Sequence, residues 1–491
     1  MTLTHILAFF VFALITGQVV PARFRTTLIL FGSVLGVYWM QPSTPVRNLD
    51  FWLPTVSIVL VVLVWAITRP VNSEEQTARL LQWRSLAAGL LILGAVLTIS
   101  LTRYVEPLCC LTPTRPPGLL QVALALGIGG VAAAIPARVK APRQSLSWFF
   151  FILLVALLVI LKSEALSRTA SALLRGMTGQ QPGLASALDL PWLGFSYLSF
   201  RLLHVLRDYQ AGKLPAYSLG EFASYALFFP AYTAGPIDRS QHFIVELQQD
   251  CAETAGGRTW LCGSGSDLAA GTQRILWGVF KKFAVADTLA IIALSPQNAV
   301  QVQSTLWAWV LLYAYALRIY FDFSGYTDIA LGLARLMGIR LPENFDRPYL
   351  RQNLTSFWNG WHITLTQWIR MYFFNPFTRF LRTGSRALPA WAVILAAQMG
   401  TMLLIGLWHG ITWNFAIWGA WHGLGLFIHN RWLNYMRSQG AFLQAAPRLQ
   451  RVLNLGSWFL TFHYVTLGWI WFALPDTDTA LKVLANLFGI G

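Results

Sequence analysis

The feature that most limits what this chain can fold into is a succession of apolar runs, each about long enough to cross a bilayer as a helix. They occupy 4–20, 26–41, 51–68, 86–102, 118–135 and 147–163, with two more strong runs at 388–407 and 455–474 and a mixed segment at 411–430. A helix rises about 1.5 Å per residue, so roughly 20 residues match the hydrocarbon thickness. Apolar residues make up 56% of the 491, enough for about a dozen crossings, and only 11% are charged. That is under half the charge of a water-soluble domain, and it also excludes disorder. The first run lacks a basic leader and a small-residue cleavage site, so it reads as a retained span. The expected fold class is all-α, a polytopic transmembrane helical bundle of about 11–14 helices with re-entrant and amphipathic segments.

The chain carries 36 Lys plus Arg against 20 Asp plus Glu, a formal charge of +16. The basic residues sit in short stretches between apolar runs, which points to the membrane surface and not to nucleic acid. Arg23 and Arg25 follow the first run, Arg69, Arg79 and Arg84 the third, and Arg138, Lys140 and Arg143 the fifth. The even loops hold only Arg47, Arg103 and Arg115. If each run spans once, the odd loops are cytoplasmic and the N-terminus is outside. Many of the 22 Trp suit the membrane–water boundary.

Up to about residue 165 the runs contain almost no polar residue, and 1–165 reads as transmembrane scaffold helices. After Asp189 the apolar stretches carry embedded His, Arg, Asp and Asn and are broken by Pro and Gly, as in 190–209, 220–238, 304–338 and 353–382. Irregular polar backbone survives at membrane depth only where protein buries it or a wet cavity borders it, and ionisable groups there are functional candidates. The working half is therefore 190–474.

Four of the eight histidines crowd into 362–429. Imidazole is the side chain best suited to proton transfer near neutral pH. His409 lies in Gly406-Leu407-Trp408-His409-Gly410, just before Trp413-Asn414, and the glycines suggest a helix interrupted at the ring. A packed histidine bonded to a carbonyl is the competing reading. His362 falls in Phe357-Trp358-Asn359-Gly360-Trp361-His362, and Trp358, His362, Thr366 and Arg370 recur every four residues. That spacing predicts one amphipathic helix with His362 on its polar stripe, serving either a protein-lined cavity or interfacial anchoring. His422 and His429 would share a helical face. Arg318 and Asp322, four apart, are expected to neutralise each other, while Ser324, Thr327 and Asp328 are candidates to line a polar chamber, and a structural role for Asp322 and Asp328 is the reading preferred over a catalytic one.

No carboxylate or thiolate stands at ligand spacing from these histidines, so no metal site is predicted. Cys251 and Cys262 flank a Gly-rich loop and would bond in an oxidising compartment, or remain free thiols; Cys109 and Cys110 are adjacent. The chain has no P-loop, no dinucleotide fingerprint, no GxSxG elbow and no HExxH.

Six segments in order carry a resemblance. They are Gly194-Phe195-Ser196-Tyr197-Leu198-Ser199-Phe200-Arg201, Gly235-Pro236-Ile237-Asp238-Arg239, Phe321-Asp322-Phe323-Ser324-Gly325-Tyr326-Thr327-Asp328 and Leu341-Pro342-Glu343-Asn344-Phe345. Phe357-Trp358 through Trp361-His362 to Trp368 is the fifth, and Gly406 to Gly410 with Trp418-Gly419 the sixth. Over 190–430 the chain resembles the membrane-bound O-acyltransferase family, on the bacterial branch that includes D-alanyl-lipoteichoic acid transfer and alginate O-acetylation proteins. The resemblance implies that His409 is catalytic and His362 the second polar residue of the site. It implies a central tunnel in which a cytoplasmic acyl thioester meets an acceptor hydroxyl from outside. Asp322, Ser324, Asp328, Asn344, Trp358, Trp408, Trp413, Asn414 and His422 are the lining candidates. The family's usual Arg-Asp-Tyr is Arg370-Met371-Tyr372 here, so one carboxylate is missing.

The expected activity is transfer of a short acyl group, of acetyl or D-alanyl type, to a hydroxyl of an extracytoplasmic glycan, polyol or lipid. No tightly bound cofactor is expected beyond the acyl thioester co-substrate, acyl-CoA or acyl carrier protein. The expected partners are the bilayer, the cytoplasmic donor or carrier, and an extracytoplasmic protein, with a bacterial inner membrane as the location. A transporter or flippase of a lipid-linked substrate is the alternative, for which inverted repeats would argue, and none is visible. A catalytically inert membrane scaffold is the third reading.

Overall fold

The structure, a computed structural model, describes residues 1–69, 75–105, 111–138, 143–249, 265–383, 388–438 and 447–490. All four cysteines lie outside the described residues.

Every apolar run is helical. The six N-terminal runs become α1 (Leu3–Gln18), α2 (Ala22–Met40), α3 (Leu49–Thr68), α4 (Glu75–Leu101), α5 (Leu119–Arg138) and α6 (Arg143–Lys162). Then come α7 (Glu164–Met177), α8 (Phe195–Gln210), α9 (Leu219–Leu227), α10 (Ser240–Gln248), α11 (Gly265–Val279), α12 (Asp287–Ile292), α13 (Pro296–Gln301) and the long α14 (Thr305–Leu336). The remainder is α15 (Leu354–Gly360), α16 (Ile363–Ile369), α17 (Asn375–Thr383), α18 (Ala390–His409), α19 (Trp413–Ser438), α20 (Pro447–Ala473) and α21 (Thr477–Leu487). Among the described residues there is no strand, and the helices Leu49–Thr68, Gln82–Tyr104, Arg143–Lys162 and Ala390–His409 are long and apolar enough to span. The protein is an all-α membrane protein.

The chain forms two compact units: Met1–Leu276 with Thr327–Pro342, and Trp277–Tyr326 with Glu343–Gly491. The boundary at Leu276 falls within the stretch 190–474.

In the first unit, several buried polar groups are tied to backbone or to one another. Gly194 caps α8 at φ +74°, and a Cβ there would meet the Tyr232 ring at 2.4 Å. About two turns later Arg201, almost wholly buried, donates to the carbonyls of Ala226 (3.0 Å) and Ala231 (2.7 Å), which end α9 and the 3₁₀ turn after it. Four residues after Ala226 stands Pro230, which has no N–H, so the guanidinium satisfies an acceptor that would otherwise be stranded, while Ala231 O also takes the Gly235 N–H at 3.3 Å. Asp50 takes the N–H (2.8 Å) and hydroxyl (2.7 Å) of Thr114. Asp328 takes Arg274 at 2.9 Å. Asp189 accepts from Arg175 (2.8 Å), Ser171 (2.6 Å) and the Ser186 N–H (3.1 Å). Burial pushes the Asp189 carboxyl up, but these three bonds outweigh it and hold the group below the usual carboxylate range.

In the second unit the core is aromatic. Trp418 and Trp469 are fully buried and stack at 6.0 Å, and Trp469 Nε1 donates to Tyr349 Oη at 3.0 Å. Helices α18 and α19 form a hairpin at contact distance. A Cβ on Gly406 would lie 2.2 Å from the Phe415 carbonyl oxygen, and one on Gly419 2.6 Å from that of Met402. The glycines of the Gly-Leu-Trp-His-Gly and Trp-Gly segments therefore let two backbones meet, as small residues do where membrane helices pack.

Candidate active site

His362 does not sit on a continuous amphipathic stripe, contrary to its four-residue spacing. The helix stops at Gly360 and restarts at Ile363, because two segments pair instead: Asp346 N–H donates to Gly360 O and Ile363 N–H to Asn344 O, both at 2.9 Å. A Cβ on Gly360 would meet the Asp346 oxygen at 2.7 Å, so this approach needs glycine. Between the helices His362 adopts φ +44°, a left-handed conformation that costs a non-glycine residue free energy and persists only when neighbours over-determine it.

Its ring is buried, 4.8 Å edge-on from Phe323. Nδ1 lies 3.0 Å from Asn344 Oδ1, which also accepts from the N–H (3.3 Å) and hydroxyl (2.9 Å) of Thr364. The Thr364 N–H can only donate, which identifies that Asn344 atom as oxygen. The imidazole therefore carries its proton on Nδ1, and Nε2 holds the ring's lone pair. Asn344 thus orients His362 and sets its tautomer.

His409 is the last residue of α18, followed by extended Gly410, which matches the expected interruption. Aromatic rings surround it: Trp408 at 4.6 Å, Phe472 at 4.7 Å, Phe415 at 5.9 Å and Trp418 at 6.0 Å. It is half-buried, so the box is not sealed. The Trp408 ring is 6.5 Å from His362, so one indole is shared by both imidazoles.

Beyond Trp418 lies His422, wholly buried, with ring contacts to Trp418 (4.9 Å) and Trp358 (5.2 Å). Neither of its nitrogens has a hydrogen-bond partner among the described residues. Trp358 also faces a cavity of about 200 Å³, bordered by Asn359, Thr366, Arg370, Gln398 and Thr401. Arg370 donates to Asn359 Oδ1 at 2.7 Å, while Trp358 Nε1, Gln398 Oε1 and Thr401 Oγ1 are buried without partners among the described residues. So Trp358, Thr366 and Arg370 do share a recess, whose wall is completed by the apolar Ile369, Phe374, Met402, Ile405 and Leu426, but His362 and His409 do not border it.

The other candidates scatter. Trp413 is 81% exposed at the first turn of α19, outside the aromatic box. Asn414 is a tether: Nδ2 donates to Leu474 O and Oδ1 accepts from Thr477 Oγ1, both at 2.6 Å. Asp322 is paired with Lys282 and not with Arg318, because the lysine is brought in from the π-helical stretch 280–286 that follows α11. Ser324 is buried with its hydroxyl unpartnered among the described residues, and Asp328 belongs to the first unit with Arg274. Met371 lies in a π-helical stretch, 42% exposed. No cluster of three or more metal-ligating side chains occurs among the described residues. Sequence reading missed Phe472, Thr364, Gln398 and Thr401. Phe472 is one apolar residue in an apolar run, and nothing in its spacing marks it out.

Fold and site together define a helical membrane protein with two histidines from separate motifs flanking one indole. A profile of the membrane-bound O-acyltransferase family matches residues 137–470, and the chain belongs to that family. It is 35% identical over 314 residues to the probable alginate O-acetylase AlgI of Pseudomonas aeruginosa, covering 64% of this chain and 54% of that protein. It is 32% identical over 293 residues to the teichoic acid D-alanyltransferase of Streptococcus thermophilus (58% and 68%). It is 31% identical over 277 residues to the peptidoglycan O-acetyltransferase of Helicobacter pylori (56% and 48%). The chain thus spans little more than half the length of the alginate O-acetylases it matches.

Proposed function

We propose that this protein is an O-acyltransferase, multi-pass in a bacterial inner membrane, that moves a short acyl group from a cytoplasmic thioester to an extracytoplasmic hydroxyl. The observation that carries the reading is the convergence of His409 and His362 on Trp408. His409 acts as general base: it takes the hydroxyl proton while the oxygen attacks the thioester carbonyl carbon. The tetrahedral intermediate then loses its C–S bond, and the thiolate leaves with the proton returned by the ring. The position at the end of α18 places the last-turn carbonyls near the positive charge the ring gains. His362, held by Asn344, orients the reacting carbonyl or hydroxyl through its second nitrogen. The recess beside Trp358, with its unused donors and acceptors, suits the polar arm of the donor.

The relatives modify alginate, teichoic acid and peptidoglycan by name, which supports a cell-envelope acceptor. The test is mass spectrometry of ester-linked acyl groups on envelope glycans and lipids from cells carrying wild-type or His409→Ala protein at equal membrane levels. A positioned base contributes about 10²–10⁴-fold, so the variant should lose ester to that extent. Wild-type ester content would overturn the proposal.

A further inference from the structure

A second cavity, in the first unit, is untouched by the chemistry above. It has a volume of about 760 Å³ and is bordered by Arg23, Arg25, Arg84, Glu221, Leu30 and Leu91 among others. Three guanidinium groups face one carboxylate, and that carboxylate is already occupied. Glu221 Oε2 accepts from the Ser218 N–H (2.8 Å) and hydroxyl (2.7 Å), completing the capping box of α9, and Oε1 accepts from Gln248 at 2.6 Å.

Arg25 is the least ordinary of the three. It is 3% exposed, donates through Nη2 to the carbonyls of Gly338 (3.0 Å) and Glu246 (3.2 Å), and leaves its buried Nε without an acceptor among the described residues. A buried guanidinium donor left unmatched is costly unless an anion completes it.

The surroundings say where the cavity opens. Arg23 is followed by Phe24, 48% exposed, and Arg84 is preceded by Trp83, 70% exposed. Arg84 stands at the beginning of the apolar segment Gln82–Tyr104, on which Leu86 and Leu90 are exposed further along. Aromatic and cationic residues at the edge of an apolar span mark headgroup level, and exposed leucines beyond them mark acyl-chain depth. Leu30 and Leu91 provide the apolar wall within.

We infer that this cavity binds an anionic phospholipid, its phosphodiester held by Arg23, Arg25 and Arg84 and its acyl chains laid along α2 and α4. Basic pockets between membrane helices recognise headgroups in this way, at roughly fivefold in affinity per arginine near the surface. A water-soluble phosphate shares the headgroup chemistry but gains nothing from the apolar wall.

The experiment uses the full chain in detergent, with lipid retention read by native mass spectrometry. Dioleoylphosphatidylglycerol should be retained at least about tenfold better than dioleoylphosphatidylcholine. Both Arg23 and Arg84 are exposed, so Arg23→Gln/Arg84→Gln should keep the wild-type melting temperature while losing most of that preference, about thirtyfold in affinity for the anionic lipid. Millimolar glycerol 3-phosphate should not displace the lipid. Equal retention of the two lipids by the wild type, an unchanged preference in the double variant, or displacement by glycerol 3-phosphate would each overturn the inference.

Discussion

The buried carboxylates of the first unit and the polar groups around Trp358 in the second are partnered differently. In the first, each buried carboxylate described above has at least one oxygen bonded, Asp50 by Thr114, Asp189 by Arg175 and Ser171, Glu221 by Ser218 and Gln248, and Asp328 by Arg274, although Arg25 Nε and the Ser199 hydroxyl are unmatched among the described residues. In the second, the imidazole of His422 and polar atoms of Trp358, Gln398 and Thr401 are buried and unmatched among the described residues. A buried polar group costs free energy unless bonded, so the carboxylate bonds of the first unit serve the architecture, while the unmatched groups near Trp358 fit the proposed substrate role. Under the proposed function the motif segments divide accordingly: 194–201 and 235–239 help build the fold, while 357–362 and 406–410 carry the proposed site.

The comparison breaks most visibly at Arg201. Replacing it with Met strands the Ala226 carbonyl, takes a charged donor from that of Ala231 and should cost about 3 kcal/mol, seen as loss of folded protein in membranes. Activity per folded molecule should stay near wild type. If specific activity falls while folding holds, the first unit is not mere architecture.

Asn344→Ala is the counterpart in the second unit. It removes the acceptor that orients His362, and one lost buried bond of about 1–3 kcal/mol converts to roughly fivefold to hundredfold in turnover. Protein level should be little changed. A variant that transfers acyl groups at the wild-type rate would remove Asn344 from the site.

Glycine packing gives a smaller effect. Gly419→Ala forces a methyl to 2.6 Å from the Met402 oxygen and should destabilise by about 1–3 kcal/mol in thermal unfolding in detergent. Gly456→Ala, with nothing within 4 Å, should be neutral, and equal effects would contradict the hairpin contact.

The smallest effect is acid-dependent. Because the Asp189 carboxyl is held below its unfolded value, its stabilisation is present above the ordinary carboxylate range and is lost as pH falls through the depressed folded value. Melting temperature should therefore fall less between about pH 5 and 3 in Asp189→Asn than in the wild type. Parallel curves would show that the carboxylate contributes nothing by its charge.

Much of the architecture was legible in the sequence, since a run of apolar residues has one solution in lipid and every such run is a helix. The break at His409 was legible too, from Gly410. His362 was misread because periodicity reports only local preference, and the pairing of 344–346 with 360–363 is non-local; Asn359-Gly360 was the one local sign of it. Likewise the nearest carboxylate partner in sequence, Arg318, lost Asp322 to Lys282, which only folding brings near.

The central claim is that His362 and His409 serve one reaction. The direct measurement is the rate of acyl-ester formation for His362→Ala, His409→Ala and the double variant, all at equal folded protein. Groups acting as one unit are strongly non-additive, so the double variant should be no slower than the worse single within about threefold. If instead the two losses multiply in full, the histidines act independently and the shared site is wrong.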